Sequence, residues 1–272
     1  MKLLSLSTLA LGALAWDESP FIVNNGGEIY RGKQTGKALS SVQWTKIAGG
    51  LSDIGCNNND QCWGVNDDGN VYFVDASVGS ALSWIHKPAN FKGVSVSSGQ
   101  DGSVWLVDSN YQIWRARCVN SPWEYVNGGL VDIAAASYYE AWGVNGNGGL
   151  WHQKPTASLG VWQKILPAKP FNFARVAVCD NGDVFLATKN AAKYAGVGSV
   201  LLKNNGNAQP SWNELDGGAF DVACKNNNLY SIGGNHGTGG DPADHSIWVR
   251  GDWDPVRNTF WNMIPGGAMI IG

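Results

Sequence analysis

The sequence predicts an all-β fold, a six-bladed β-propeller of four-stranded blades, and three observations carry that prediction. The first is composition. Of 272 residues, 36 are Gly and 14 are Trp, while only 15% are charged. That balance suits many short strands and turns, and it speaks against long exposed helices, coiled coil and charged disorder. The second is a Trp-led repeat whose step lies in the range of propeller blades. The third is that each end of the chain carries part of one repeat.

Taken in order along the chain, the first fifteen residues stand apart. Lys2 is followed by a continuous apolar run ending in Ala13-Leu14-Ala15, the pattern of a secretory signal cleaved just ahead of Trp16. No later stretch approaches the ~20 apolar residues of a membrane-spanning helix. The expectation is an exported chain with one domain over 16–272 and no membrane insertion. A net charge of −3 provides no basic field for nucleic acid. Five cysteines fit an oxidising route. Cys56 and Cys62 bracket the turn-like stretch NNNDQ, which predicts a cross-strand bridge. The pairing of Cys118, Cys179 and Cys224 stays open, and the odd count leaves at least one cysteine unpaired or bonded to another chain.

The repeat opens at Trp44, Trp84, Trp123, Trp162, Trp212 and Trp261, with steps of 40, 39, 39, 50 and 49 residues. Each opening Trp is followed by the same grammar, clearest at 44–55, 123–134, 212–223 and 261–272: an aliphatic three residues on, a Gly pair, then an alternating strand. An aromatic-led strand, a turn of Asn, Asp and Gly, and another strand come next at 62–75, 104–117 and 141–154. Those read as hairpins, because Asn, Asp and Gly tolerate the positive φ of tight turns. The longer steps place loop insertions in units four and five. The last repeat stops at Gly272 after two strands, and a matching pair appears at 21–32. The two ends are therefore expected to complete one shared blade, since an open toroid would leave unpaired strand edges.

Aligned repeats separate packing from candidate site positions. The aromatic column Phe21, Trp63, Trp105, Trp142, Phe185 and Tyr230, together with the opening Trp residues, is assigned to packing between blades. The aliphatic column Ile54, Val94, Ile133, Val176, Val222 and Ile271 is assigned to core. Three residues after the aromatic stand Asn24, Asn66, Asp108 and Asn145, with Thr188 and Gly233 in units four and five. These Asn and Asp side chains either cap their own turns or meet a ligand. The following strand carries Tyr30, Tyr72, Trp114 and Trp151, with Trp248 and Leu201 in the other units, and beside them Arg31, Arg115 and His152. A polar amide or carboxylate near an aromatic plane is what a sugar needs, since its hydroxyls want directional partners and its C–H face an apolar one. Asn24, Tyr30, Arg31, Asn66, Tyr72, Asp108, Trp114, Arg115, Asn145, Trp151 and His152 are the candidate ligand-binding residues.

The pattern W-x-x-I-x-G-G-L-x-x-I followed by W-G-V-N-x-x-G-x-I/V-Y/W, present from Trp44 to Tyr72 and from Trp123 to Trp151, resembles the tectonin repeat. The resemblance covers all six units. Units four and five depart from it, with FLAT (185–188) and YSIG (230–233) in place of WGVN. Tectonin-repeat lectins, such as the fish egg lectin, horseshoe crab and fungal types, imply a six-bladed propeller that binds glycans on microbial or cell surfaces. Repetition points the same way, because several weak sites facing a glycan-coated surface gain avidity of roughly 10²–10⁴-fold without any new contact.

Two other classes remain as alternatives. No G-x-S-x-G, H-E-x-x-H, P-loop or C-x-x-C motif is present, so hydrolase, zincin, nucleotide and zinc-ribbon chemistry lack motif support. No cofactor or metal is expected. An exported lyase or hydrolase would draw on His236, Asp241, Asp244 and His245 in the Gly-rich stretch 233–246. A protein-binding propeller would use its loop tips.

Overall fold

A computed structural model describes residues 20–36, 38, 40–77, 82–165, 172–188, 198–203, 212–233, 245–250 and 261–272. The predicted signal segment, and His236, Asp241 and Asp244 of the Gly-rich stretch, lie outside the described residues.

Among the described residues the regular elements are all strands. β1 (Phe21–Val23), β2 (Glu28–Gln34) and β3 (Val42–Gly50) come first. Then follow β4 (Asp53–Cys56), β5 (Gln61–Val65), β6 (Val71–Asp75) and β7 (Ile85–Lys87), and next β8 (Gly93–Ser98), β9 (Val104–Asp108), β10 (Ile113–Ala116) and β11 (Glu124–Val126). The third set is β12 (Asp132–Ser137), β13 (Glu140–Val144), β14 (Leu150–Gln153) and β15 (Trp162–Ile165), and the fourth β16 (Phe173–Val178), β17 (Val184–Thr188), β18 (Gly198–Lys203) and β19 (Trp212–Ala219). The chain ends with β20 (Asp221–Lys225), β21 (Asn228–Ile232), β22 (Ser246–Arg250), β23 (Asn262–Gly267) and β24 (Ile270–Ile271).

They pair antiparallel into six four-stranded sheets: β4–β7 (sheet I), β8–β11 (II), β12–β15 (III), β16–β19 (IV), β20–β23 (V) and β24-β1-β2-β3 (VI). The first strand of each, β4, β8, β12, β16, β20 or β24, touches the first strand of the next sheet, and β24 returns to β4. This is an all-β propeller whose sheets circle a central channel.

Each hydrophobic cluster lies between two neighbouring sheets. Trp63, Val65 and Val71 of sheet I meet Val96, Val104 and Leu106 of sheet II, while Trp105 and Ile113 of sheet II meet Ile133 and Ala141 of sheet III. The last such cluster joins the two chain ends, with Ile22 and Ile271 against Tyr230, Ile232 and Ile247. Both faces of every sheet are therefore apolar, which is why β9, β17 and β21 are buried at all five positions and show no alternation.

The shared sheet differs from the sequence expectation in its composition. One strand, β24, comes from the C-terminus and three from the N-terminus, rather than two from each. The cause is phase. The Trp-led strand of each repeat pairs with the hairpin before it, as Tyr30↔Lys46 in β2 and β3 shows, so the sequence repeat runs one strand out of step with the sheets. The seam is held by Phe21 N–H to Gly272 O at 2.9 Å, Gly272 N–H to Phe21 O at 3.0 Å and Met269 N–H to Val23 O at 2.8 Å.

The phase shift also explains the Gly pair. Gly49, Gly128 and Gly266 have φ of 122°, 142° and 131°, and a Cβ at each would lie 3.2, 2.9 and 3.1 Å from the indole of Trp84, Trp162 and Trp44 on the next sheet. Two of these indoles bond the same edge, Trp44 Nε1–H to Pro265 O at 2.7 Å and Trp162 Nε1–H to Asn127 O at 2.9 Å. The opening Trp residues thus stitch outer strands together around the ring.

Val94 is a second correction: it is 45% exposed, and Val96, at 4%, fills the aliphatic position. A bulge between Gly93 and Ser95 moves the core residue two places along. Cys56–Cys62 is a disulfide across β4 and β5, Cys179–Cys224 joins sheets IV and V, and Cys118 is free and exposed.

Candidate functional site

The Asn and Asp of the β-turns spend their side chains on the turn itself. Asn24 Oδ1 accepts Gly26 N–H at 2.9 Å and Glu28 N–H at 3.0 Å. Asn66 Oδ1 accepts Asn70 N–H at 2.8 Å, and Asn145 Oδ1 accepts Gly149 N–H at 2.8 Å. Asp108 Oδ1 accepts Asn110 and Gln112 N–H at 2.8 and 2.9 Å. These are Asx turns, in which the side-chain oxygen replaces a backbone acceptor.

What is left over at each turn depends on the residue type. Asp108 has a second acceptor, and Trp114 Nε1–H donates to it at 2.9 Å. Asn145 has no second acceptor, so Trp151 Nε1 is buried without a partner. In sheet VI the aromatic is Tyr30, whose hydroxyl donates to Glu28 at 3.0 Å; Asn24 Nδ2 donates to the same oxygen at 2.7 Å, and Lys46 binds the other. Lys46 above all, then Asn24 and Tyr30, hold the Glu28 carboxyl down to a pKa of about 2. Tyr30, Tyr72, Trp114 and Trp151 are all partly buried. Trp114 carries the fullest aromatic surround, stacked on Phe91 at 4.4 Å and edge-on to Tyr125 at 5.5 Å, with Tyr125 49% exposed.

Arg31, Arg115 and His152 do not join this constellation. Neighbours along a strand point to opposite faces, so the three face the other groove, towards the next sheet. Arg31 bonds Asp60 of sheet I at 2.7 Å. Arg115 bonds Glu124 at 3.1 Å and Tyr138 O of sheet III at 2.7 Å, with its guanidinium 3.9 Å from the Tyr138 ring. His152 stacks on Trp142 at 3.8 Å and holds Glu140 at 2.8 Å. The Tyr138 hydroxyl first, then Arg115, keeps the Glu124 carboxyl below its usual range. The sequence reading, which set these residues beside Tyr30, Trp114 and Trp151 as one site, is corrected: two faces of each sheet are involved.

Two open grooves lie at sheet junctions. One, of about 360 Å³, is lined by Arg31, Lys33, Thr45 and Ile47 of sheet VI and by Leu82. The other, of about 310 Å³, is lined by Gln100, Ser137, Glu140, Trp142 and Asp180. Both are of the size that holds a small ligand, and each contains Arg31 or the partner of His152. Sequence reading missed Glu28, Glu124, Glu140 and Asp60. Only Glu28 left a trace, standing two residues before Tyr30 and so on the same face of β2. Among the described residues no group of three or more His, Cys, Asp or Glu is placed to hold a metal.

The fold places the chain among the β-propellers. Residues 17–121 match the tectonin domain family. No curated protein matches its sequence. The fold resembles the β-propeller domain of Cps50 (Swd1) from Myceliophteria thermophila, with a TM-score of 0.54 at 10% identity over 92% of this chain and 86% of that one. YCF48 bound to a D1 peptide gives 0.51 at 11% identity, over 92% and 78%. Virginiamycin B lyase from Staphylococcus aureus gives 0.51 at 9% identity, over 92% and 85%. At such identities these three likenesses concern fold alone.

Proposed function

We propose that this is an exported, six-bladed lectin of the tectonin type, a non-enzymatic binder of surface glycans whose sites repeat around the ring. Its weight rests on one observation: in sheets VI, II and III the same strand positions put a partly exposed aromatic on one face and a hydrogen-bonded polar group on the other. Two junctions are thus offered an aromatic from one sheet and an oriented arginine from its neighbour: Tyr72 with Arg31 between sheets VI and I, and Trp151 with Arg115 between sheets II and III. The tectonin match over 17–121 and the grooves at two of the junctions support the reading. Two disulfides are compatible with an oxidising destination.

Binding of the purified protein to a glycan array, competed by free monosaccharide, is the expected outcome, and absence of binding to any glycan would refute the proposal. Glu140→Gln keeps the shape of the groove but weakens its hold on sugar hydroxyls. The expected loss is about tenfold at that junction, as for one charge-assisted hydrogen bond. The loss should be larger on a multivalent surface than on free sugar.

A further inference from the structure

The inner strands carry a ring of residues that the glycan reading does not use. At one end of the channel Asp53 (β4), Ser95 (β8), Asp132 (β12), Arg175 (β16), Asp221 (β20) and Ile270 (β24) occupy the corresponding position of six consecutive strands. The aspartates sit on alternate sheets, and each clamps the following one. Asp53 Oδ2 accepts Val96 N–H at 2.7 Å, Asp132 Oδ2 accepts Val176 N–H at 2.7 Å, and Asp221 Oδ2 accepts Ile271 N–H at 2.8 Å. The ring is thereby tied as three pairs of sheets, I–II, III–IV and V–VI.

Charge does not balance in this layer. Arg175 is the only cation facing it among the described residues; it lies 3.2 Å from Asp132 and 3.4 Å from Asp221. Among the described residues, Asp53 has no cation within salt-bridge distance. Ser95 contributes a hydroxyl 3.4 Å from Asp132, and β24 contributes only Ile270 and Ile271. Three carboxylates facing one guanidinium leave two negative charges uncompensated in a narrow, poorly hydrated space, an arrangement that favours uptake of protons.

The channel also has a route for those protons. A cavity of about 60 Å³ extends along the inner strands past Ser97 and Ser98, and the Ser98 hydroxyl is buried there without a protein partner. A polar cavity of that volume holds on the order of four waters. Gln100 of its wall accepts Asn58 N–H at 3.0 Å, and Asn58 in turn accepts Asn226 N–H at 2.8 Å and contacts Asp180.

We propose that this layer is a proton-dependent latch: protonated, the three aspartates share one guanidinium and hold the sheets in register, and loss of the protons sets anion against anion and loosens the ring. Desolvation dominates at each carboxyl. It pushes Asp53 up to about 8 and Asp221 up to about 7, and raises Asp132, with Arg175 opposing at all three.

These carboxyls keep protons in the folded chain that the unfolded chain has already released. Stability therefore falls as pH rises from the ordinary carboxylate range up to the folded pKa values, and levels off above them. For each retained proton the folding constant changes by up to about tenfold per pH unit. The test is urea unfolding between about pH 5 and about pH 9 of the wild-type protein and Asp53→Asn, which keeps an oxygen for Val96 N–H. The expected result is a wild-type stability that declines across this range and a slope reduced by one proton's worth in the variant. Carbon-13 spectra of the folded wild-type protein should show Asp53 and Asp221 titrating near neutrality. Equal slopes in the two proteins, or both carboxyls already ionised at about pH 5, would overturn the latch.

Discussion

At the residue scale, the contrast between Asp108 and Asn145 shows how one atom alters a site that the fold repeats. Both cap the same turn through Oδ1. Only the aspartate has an acceptor left for the indole that follows, so Trp114 is bonded and Trp151 is not. A reciprocal exchange separates the effects. Asp108→Asn strands the Trp114 N–H and should cost about 1–2 kcal/mol, while Asn145→Asp gives the Trp151 N–H a partner and should gain about 1 kcal/mol. Denaturant melts of the two variants and the double exchange would measure both. If Asn145→Asp proves no more stable than wild type, the geometry at Trp151 does not mirror that at Trp114.

At the scale of elements, the Gly pair governs how one outer strand meets the next. Gly128→Ala combines φ of 142° with a Cβ 2.8 Å from Ile113 Cδ1 and 2.9 Å from Trp162 Nε1. It should destabilise the protein by about 2–3 kcal/mol, and quench or shift Trp fluorescence in the folded state. Val96→Ala should cost about 2 kcal/mol, whereas Val94→Ala on the exposed side of the bulge should stay within about 0.5 kcal/mol. Urea midpoints with unchanged slopes would decide both. The pair also shows what was legible in the sequence. The Trp-led period, the hairpin turns, the aromatic packing columns and the Cys56–Cys62 bridge are local patterns, and each stands in the structure where the spacing places it. Phase was not legible, because a strand of alternating residues pairs equally well with the hairpin before or after it. Nor was the bulge that brings Val96 inward, since it inserts no residue type of its own. The split between Tyr30 and Arg31 follows from strand alternation alone. Glu124, Glu140 and Asp60, by contrast, reach their partners from other strands or from loops of unrelated spacing.

At the scale of the whole molecule, long-range closures should dominate stability. Cys179–Cys224 spans 45 residues and Cys56–Cys62 only 6. Loop-closure entropy gives about 4 kcal/mol for the first and about 2 kcal/mol for the second. Replacing Cys179 and Cys224 by Ser should accordingly lower the urea midpoint more than replacing Cys56 and Cys62. The terminal seam makes a comparable demand. Ile271 is buried between sheets V and VI, and Ile271→Ala should cost about 2–4 kcal/mol, read as a fall in thermal midpoint for the entire molecule rather than for one sheet.

That seam also sets the order of events when the protein is made. The strand that β1 requires, β24, is made after all the other described strands, so Phe21–Val23 waits with one edge bare while they are synthesised. An exposed edge of three apolar residues invites pairing with a neighbouring nascent chain. Ring closure therefore comes late, and a polypeptide lacking β24 would be held in the state most prone to aggregate.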